Sequence, residues 1–229
     1  ELQRESQILF RPIIDGYFMQ ASPDEIIGNG LHLDIPIIIG CNEKEGNLFK
    51  AQGATQFVVD EPEFIALAHE KYGDEAQRYL KICGVDEDLS QAIDTFGDRT
   101  FIVPTIAYCE HNALLNRKSP LYLYWFTRKI LGDDIGPAHA MEMMYVFHTI
   151  HRNWRPMQQK DLETANAMSS YWCNFATNGN PNGEGLAEWT PYTAANRKAM
   201  EIGEKIGMID RPGSPIVSFE VDYILAHDQ

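Results

Sequence analysis

Several things are scarce in this sequence, and each scarcity excludes something. No apolar run approaches the roughly 20 residues that a membrane-spanning helix needs; the longest, Ile35 to Gly40, is interrupted by Pro36. No membrane partner is therefore expected. Positive charge is in short supply: 19 basic against 33 acidic side chains leave a formal net charge of -14. A surface that negative repels phosphate backbones, so nucleic acid is not an expected partner either. Acidity alone points to no function. Cysteine is sparse, and Cys41, Cys83, Cys109 and Cys173 form no C-x-x-C pair. That argues against a zinc knuckle or a thioredoxin-type redox site and makes reduced, structural thiols the expectation, with cytoplasm favoured over secretion. Repeats and low-complexity runs are missing, which sets aside solenoids and linkers. The first residue is Glu1, with no leader pattern of basic start and apolar stretch, so the sequence reads as a chain cut from something longer.

What is present suits a packed protein. The apolar fraction is 44% and the aromatic fraction 11%, well above what a disordered chain shows. Length alone allows one large domain or two small ones. Asp34 to Cys41 (DIPIIIGC) packs three isoleucines into a short run bounded by Pro36 and Gly40, as in a strand buried on both faces of a parallel sheet. Pro120 to Phe126 (PLYLYWF) is a second such run. Between them Glu61 to Tyr72, Asp74 to Cys83, Leu89 to Thr95 and Ile102 to Leu115 have helical spacing. A long helical pattern, Asp161 to Thr177, ends at the turn-rich NGNPNGEG of Asn178 to Gly185. Ala199 to Ile209 reads as short strands joined at Gly203 to Lys205, followed by an irregular tail. Strand, helices and strand in that order indicate an α/β sheet, with few complete strands for so many helices.

Two constellations carry chemistry. The first, Gly40-Cys41-Asn42-Glu43-Lys44-Glu45-Gly46, follows the Ile-rich strand directly, and in open α/β sheets functional groups gather at the carboxyl ends of strands. Glu45 stands at such an end, although spacing alone favours a plain solvated turn. The second is His139, on the loop after the Tyr-rich strand, with Glu142 three residues on and then Tyr145 and Phe147. An imidazole titrates near neutral pH and so can move protons there. A helix-start histidine paired with Glu142 describes the same residues equally well. Of the other histidines, His32, His69, His111 and His227 sit in polar stretches without a strand end before them, and His148 and His151 flank Arg152 as surface groups.

The string IPIIIGCNEKEGNLF closely resembles the I-P-x-x-x-G-x-N-x-x-E-G-x-x-F signature of the type-B carboxylesterase family, which includes cholinesterases and bacterial para-nitrobenzyl esterases. GPAHAMEMMYVF resembles that family's H-x-x-E-x-x-Y/F-V-F segment, and FRPIIDGYFM, GDRTFIVP, PLYLYWF and YWCNFATNGNPNG look like further family segments in the family's order. The resemblance implies that residues 1–229 are the C-terminal part of a single α/β-hydrolase domain, a mostly parallel sheet flanked by helices whose N-terminal half lies outside the sequence. It places Glu45 on the catalytic acid, His139 on the catalytic base and Glu142 on a second buried acid, and calls for no metal or other cofactor. Two departures stand out: His148 where the family usually has Gly, and Thr190 inside EWTPY where a direct Trp-Pro step is commoner.

The family's serine elbow, G-E-S-x-G, has no counterpart here, since no G-x-S-x-G occurs in the 229 residues. Ser214, in RPGSP, is followed by Pro215 and lacks the second Gly. The order Ser, acid, His in α/β-hydrolases puts the nucleophile before Glu1, together with the oxyanion-hole donors. The expected partners are thus a small-molecule carboxylic ester and the N-terminal portion of the same esterase, with the 229 residues alone inactive and an uncovered sheet edge prone to association. Two rival readings remain. One is an adhesion or interaction module of the same family that has lost its serine. The other is a metal site of His139 and Glu142 with His148 or His151 as third ligand. Phe147, Met141, Met143 and Met144 are candidate pocket residues whose ordinary role is core packing.

Overall fold

The computed structural model describes residues 13–54, 57–115 and 117–227. Phe10, Arg11 and Pro12 of the FRPIIDGYFM segment lie outside them, as does Glu1. In chain order the elements are helix α1 (Pro23–Gly28), strand β1 (Ile37–Asn42), helices α2 (Asn47–Ala51), α3 (Glu61–Tyr72), α4 (Ala76–Cys83), α5 (Ser90–Asp94) and α6 (Phe96–Leu114), and strand β2 (Leu121–Phe126). Helices α7 (Met143–Val146) and α8 (Gln159–Asn178), strands β3 (Lys198–Ile202) and β4 (Ile206–Asp210), and helix α9 (Pro215–His227) follow. The sheet runs β1-β2-β3-β4: the first two pairings are parallel and β3-β4 is an antiparallel hairpin. This is the α/β architecture expected.

Local chemistry sets the element ends. Ser22 and Glu25 form a reciprocal capping box around Pro23 at the start of α1. Asp60 accepts the Glu63 amide at the start of α3, and Gly179 ends α8 in the left-handed conformation at φ 68°. Gly40 is required by its neighbour: a Cβ there would lie 2.3 Å from the Tyr124 carbonyl oxygen on β2.

Side chains of β2 alternate between two apolar layers. Leu121 and Leu123 join Cys41, Ile102, Ile106 and Val217 on the α6 and α9 side, while Tyr122 and Phe126 join Tyr145, Met168, Tyr171 and Trp189 on the α8 side. A third cluster, of Phe64, Tyr72, Tyr79, Leu80 and Phe219, ties α3 and α4 to α9. The four cysteines are free thiols; burial pushes Cys41 up to about 12 and Cys83 up to about 11, so both stay protonated. Among the described residues, no helix is long and apolar enough to cross a membrane.

Two expectations fail. The tail is not irregular but the helix α9, which buries Val217 and Val221 against α6 and Ile216 and Phe219 against α3 and α4. A helix buried on two sides lacks the single apolar stripe that betrays an amphipathic one. The helix expected to begin at Ile102 starts at Phe96 and runs through Pro104. Pro104 forgoes one helical hydrogen bond, and the buried face of Asp98, Arg99, Ile102, Val103 and Ile106 offsets that loss.

Candidate active site

The carboxyl ends of β1 and β2 are neighbours, because Asn42 pairs with Phe126 in parallel register. The loops that leave them are therefore adjacent, and they are stitched together. The Lys44 amide donates to the Pro137 carbonyl at 3.0 Å, and the Asn47 side chain donates to the Ile135 carbonyl at 2.8 Å. Across this seam His139 Nδ1 lies 2.6 Å from Glu45 Oε2, although the two residues are 94 apart in sequence. The sequence placed both on strand-end loops; the fold puts them in contact.

The pair is asymmetric. Glu45 keeps 8% of its side chain exposed and His139 keeps 41%. A carboxylate is thus shut in beneath an imidazole whose far edge remains accessible. Burial pushes the Glu45 carboxyl above the ordinary glutamate range; the Asn42 amide and His139 pull the other way, and the charge of Glu142 adds to the rise. Phe101 and Phe49 pack against the imidazole, with ring centroids at 4.6 and 5.2 Å. They hold its plane while leaving Nε2 free of any described partner.

Both sides of the acid turn are tied down. Gly46 donates its amide to Asp98 Oδ1 at 2.8 Å, and a Cβ on Gly46 would sit 2.6 Å from the Gly97 backbone, so α6 touches the turn directly. Asp98 is buried, which raises its carboxyl against the Gly46 amide and the charges of Lys44 and Lys50. At the end of β1, fully buried Asn42 makes three bonds. Its amide N–H donates to Glu45 Oε1 at 2.8 Å, and its side-chain NH₂ donates to the Ala138 carbonyl at 2.7 Å and to Glu142 Oε2 at 2.5 Å.

Glu142 therefore faces Asn42 and the charge of Glu45, not the His139 ring nitrogens. Tyr124, on β2, feels Glu142 and Glu45 as well; burial first, and then those charges, hold its hydroxyl protonated. Asn42, Asp98, Phe49 and Phe101 were not singled out from sequence. Asn42 stood inside the quoted signature, but nothing in spacing reveals where a side-chain amide donates.

The remaining candidates disperse. His148 Nε2 pairs with Asn166 Oδ1 at 2.7 Å, away from His139, and His151 is exposed. No group of three His, Cys, Asp or Glu is placed to hold a metal among the described residues. Phe147 and Met143 line a cleft of about 400 Å³ with Tyr124, Glu142 and Trp172. Both departures acquire a structural meaning. His148 adopts φ 52°, the left-handed region where glycine is at ease. Thr190 Oγ1 accepts from Asn196 Nδ2 at 2.9 Å and so braces its own turn.

Comparison with known proteins gives the family. The model of the carboxylesterase family matches residues 1–215. The chain belongs to the carboxylesterase family. It is 31% identical to human bile salt-activated lipase over 224 residues, covering 86% of this chain and 29% of that protein. Human cocaine esterase is 24% identical over 199 residues, covering 77% of this chain and 35% of its own. Liver carboxylesterase 1 of Oryctolagus cuniculus is 24% identical over 213 residues, covering 82% and 37% respectively. The chain thus spans about a third of the length of these family members.

Proposed function

We propose that this chain contributes the acid and the general base of a carboxylic ester hydrolase. The observation that carries this reading is the 2.6 Å contact between His139 Nδ1 and Glu45 Oε2 at adjoining strand ends. A carboxylate on Nδ1 fixes the tautomer in which Nδ1 bears the hydrogen, and Nε2 is then the basic nitrogen. Nε2 takes the proton of a serine hydroxyl as that oxygen attacks the ester carbonyl. The imidazolium so formed is stabilised by Glu45 and returns the proton to the leaving alcohol. The same nitrogen then deprotonates the water that releases the acid product. Glu45 suits this role because it is shielded and held through both oxygens, Oε1 by Asn42 and Oε2 by His139.

The serine and the oxyanion-hole donors belong, in this reading, to a part of the same domain before Glu1, so the partners are that portion and a small carboxylic ester. Glu142 supports the base loop through Asn42. The family membership of enzymes named esterases and lipases supports hydrolysis over the adhesion reading, as does the presence of both acid and base in contact.

The test is His139→Ala in the complete enzyme. Turnover of a nitrophenyl ester should fall by about a thousandfold or more, and retained turnover would remove His139 from the mechanism. The 229 residues by themselves should be silent toward the same ester.

A further inference from the structure

We infer that Asn42 is the positioning residue that holds acid, base loop and second carboxylate in one register. This rests on the roles proposed for Glu45 and His139. Asn42 ends β1, is fully buried, and stands opposite Phe126 of β2, so the sheet sets its position and leaves its main-chain N–H to reach Glu45.

From that fixed point it bonds in three directions. The main-chain N–H engages Glu45 Oε1, which stops the carboxylate from rotating and leaves Oε2 directed at Nδ1 of His139. One hydrogen of the side-chain amide goes to the carbonyl of Ala138, the residue immediately before His139. The other goes to Glu142, three residues after it. Both partners are acceptors, which fixes the amide with its nitrogen toward them. The base is thus gripped on either side by one NH₂ group, and the same residue holds the acid.

Nothing else described bridges Glu45 to both flanks of His139. The Lys44 and Asn47 contacts reach Pro137 and Ile135, on one side of the histidine. The residue that follows His139, Ala140, has φ 65°, a conformation that disfavours a side chain and that relaxation would leave. The Asn42 grip opposes that relaxation.

The group also separates charges. Glu45 and Glu142 repel each other, and the two N–H donors of Asn42 lie one against each carboxylate. An aspartate at 42 would reverse this by setting a third carboxylate against Glu142 and the Ala138 carbonyl. Exchanging the pair restores complementarity at residue 142 alone, because a glutamine there can donate to an aspartate at 42, while the Ala138 carbonyl still lacks its donor.

The experiment uses the complete enzyme and a nitrophenyl ester, with His139→Ala as reference. Asn42→Ala should lower kcat by about ten- to a hundredfold while KM stays within about twofold, since a small misplacement of the base acts on the reacting geometry and not on binding. Asn42→Asp should lose more, and Asn42→Asp combined with Glu142→Gln should recover turnover to the Asn42→Ala level or above. Wild-type kcat in Asn42→Ala, or a rise in KM with kcat unchanged, would overturn the inference. If Asn42→Ala fails to fold, the exchange decides: a double variant no better than Asn42→Asp overturns it. With His139→Ala silent, either result leaves the acid and base roles standing. An active His139→Ala would instead bring down both.

Discussion

The two halves of the Glu45–His139 contact are built by different means. The acid sits three residues beyond β1, on a turn pressed against α6 by Gly46 and Gly97 and held by Asp98. No residue of that turn has positive φ, and little in its backbone opposes the arrangement. His139, the proposed base, lies on a long excursion after β2 with Gly132, Gly136, Ala140 and His148 all at positive φ. Two of those four are not glycine. The base side is instead secured from below, where Tyr145 of α7 donates to Asp161 at 2.9 Å and Asp161 accepts Arg128 Nε at 2.7 Å. Glu45 is placed by the sheet, and His139 by polar contacts that hold a strained backbone.

The most damaging change to the base side is at Asp161. It is fully buried and pairs with Arg128, which also contacts Glu204. Asp161→Asn leaves a buried guanidinium short of its partner and should cost about 3 kcal/mol in denaturant unfolding of the complete protein. An unchanged unfolding midpoint would show that the loop does not depend on this anchor. Burial by itself would raise the Asp161 carboxyl, but Arg128, the Gln158 amide and Tyr145 outweigh it and hold it below the ordinary range. The sign follows from linkage: a depressed carboxyl stabilises above its unfolded value, about 4, and that stability is lost as pH falls through the folded value. The gap between wild type and Asp161→Asn should therefore close below about pH 4.

Strain on the base side is measured by relieving it. Ala140→Gly should raise unfolding stability by about 1 kcal/mol, and His148→Gly should raise it too. His148→Gly also breaks the Asn166 contact, which is exposed, so its net gain should be the smaller. Loss of stability in Ala140→Gly would mean that position 140 is not strained. Glycine placed on the acid turn, for instance at Glu43, should give no such gain.

The smallest effect on stability, opposite in sign to that of Asp161, is expected at Glu45. Its carboxyl is raised by burial, so ionised Glu45 opposes folding once pH exceeds its folded value. Glu45→Gln should abolish turnover yet hold or increase thermal stability at pH 8, with the advantage fading as pH drops. A Glu45→Gln protein clearly less stable at pH 8 would make the acid side as dependent on charge as the base side.

The parts of this structure visible in sequence are those governed by local pattern. The isoleucine run of β1, the aromatic run of β2 and the β3-β4 hairpin followed from composition and turns, and the strand-end position of Glu45 and His139 followed from them. Their meeting did not, because spacing carries no information on which strand ends adjoin; the family resemblance supplied it. The Asn42 bonds, the Gly46–Asp98 contact and the aromatic walls of His139 depend on side-chain direction after folding. Helix α9 escaped because it is apolar on more than one side; α6 was legible from Ile102 onward, through Pro104, but its first residues, Phe96 to Phe101, bury Asp98 and Arg99 and so break the apolar spacing.

The parallel register of β1 and β2, which sets Ile37 against Leu121, has a kinetic corollary. Strands so distant in sequence align at the cost of closing the large loop between them, a cost that condensation of the intervening helices lowers. The Glu45–His139 contact is then a late arrival on the folding route. Substitutions at either residue should leave the rate of folding nearly untouched and register in how quickly the native protein comes apart.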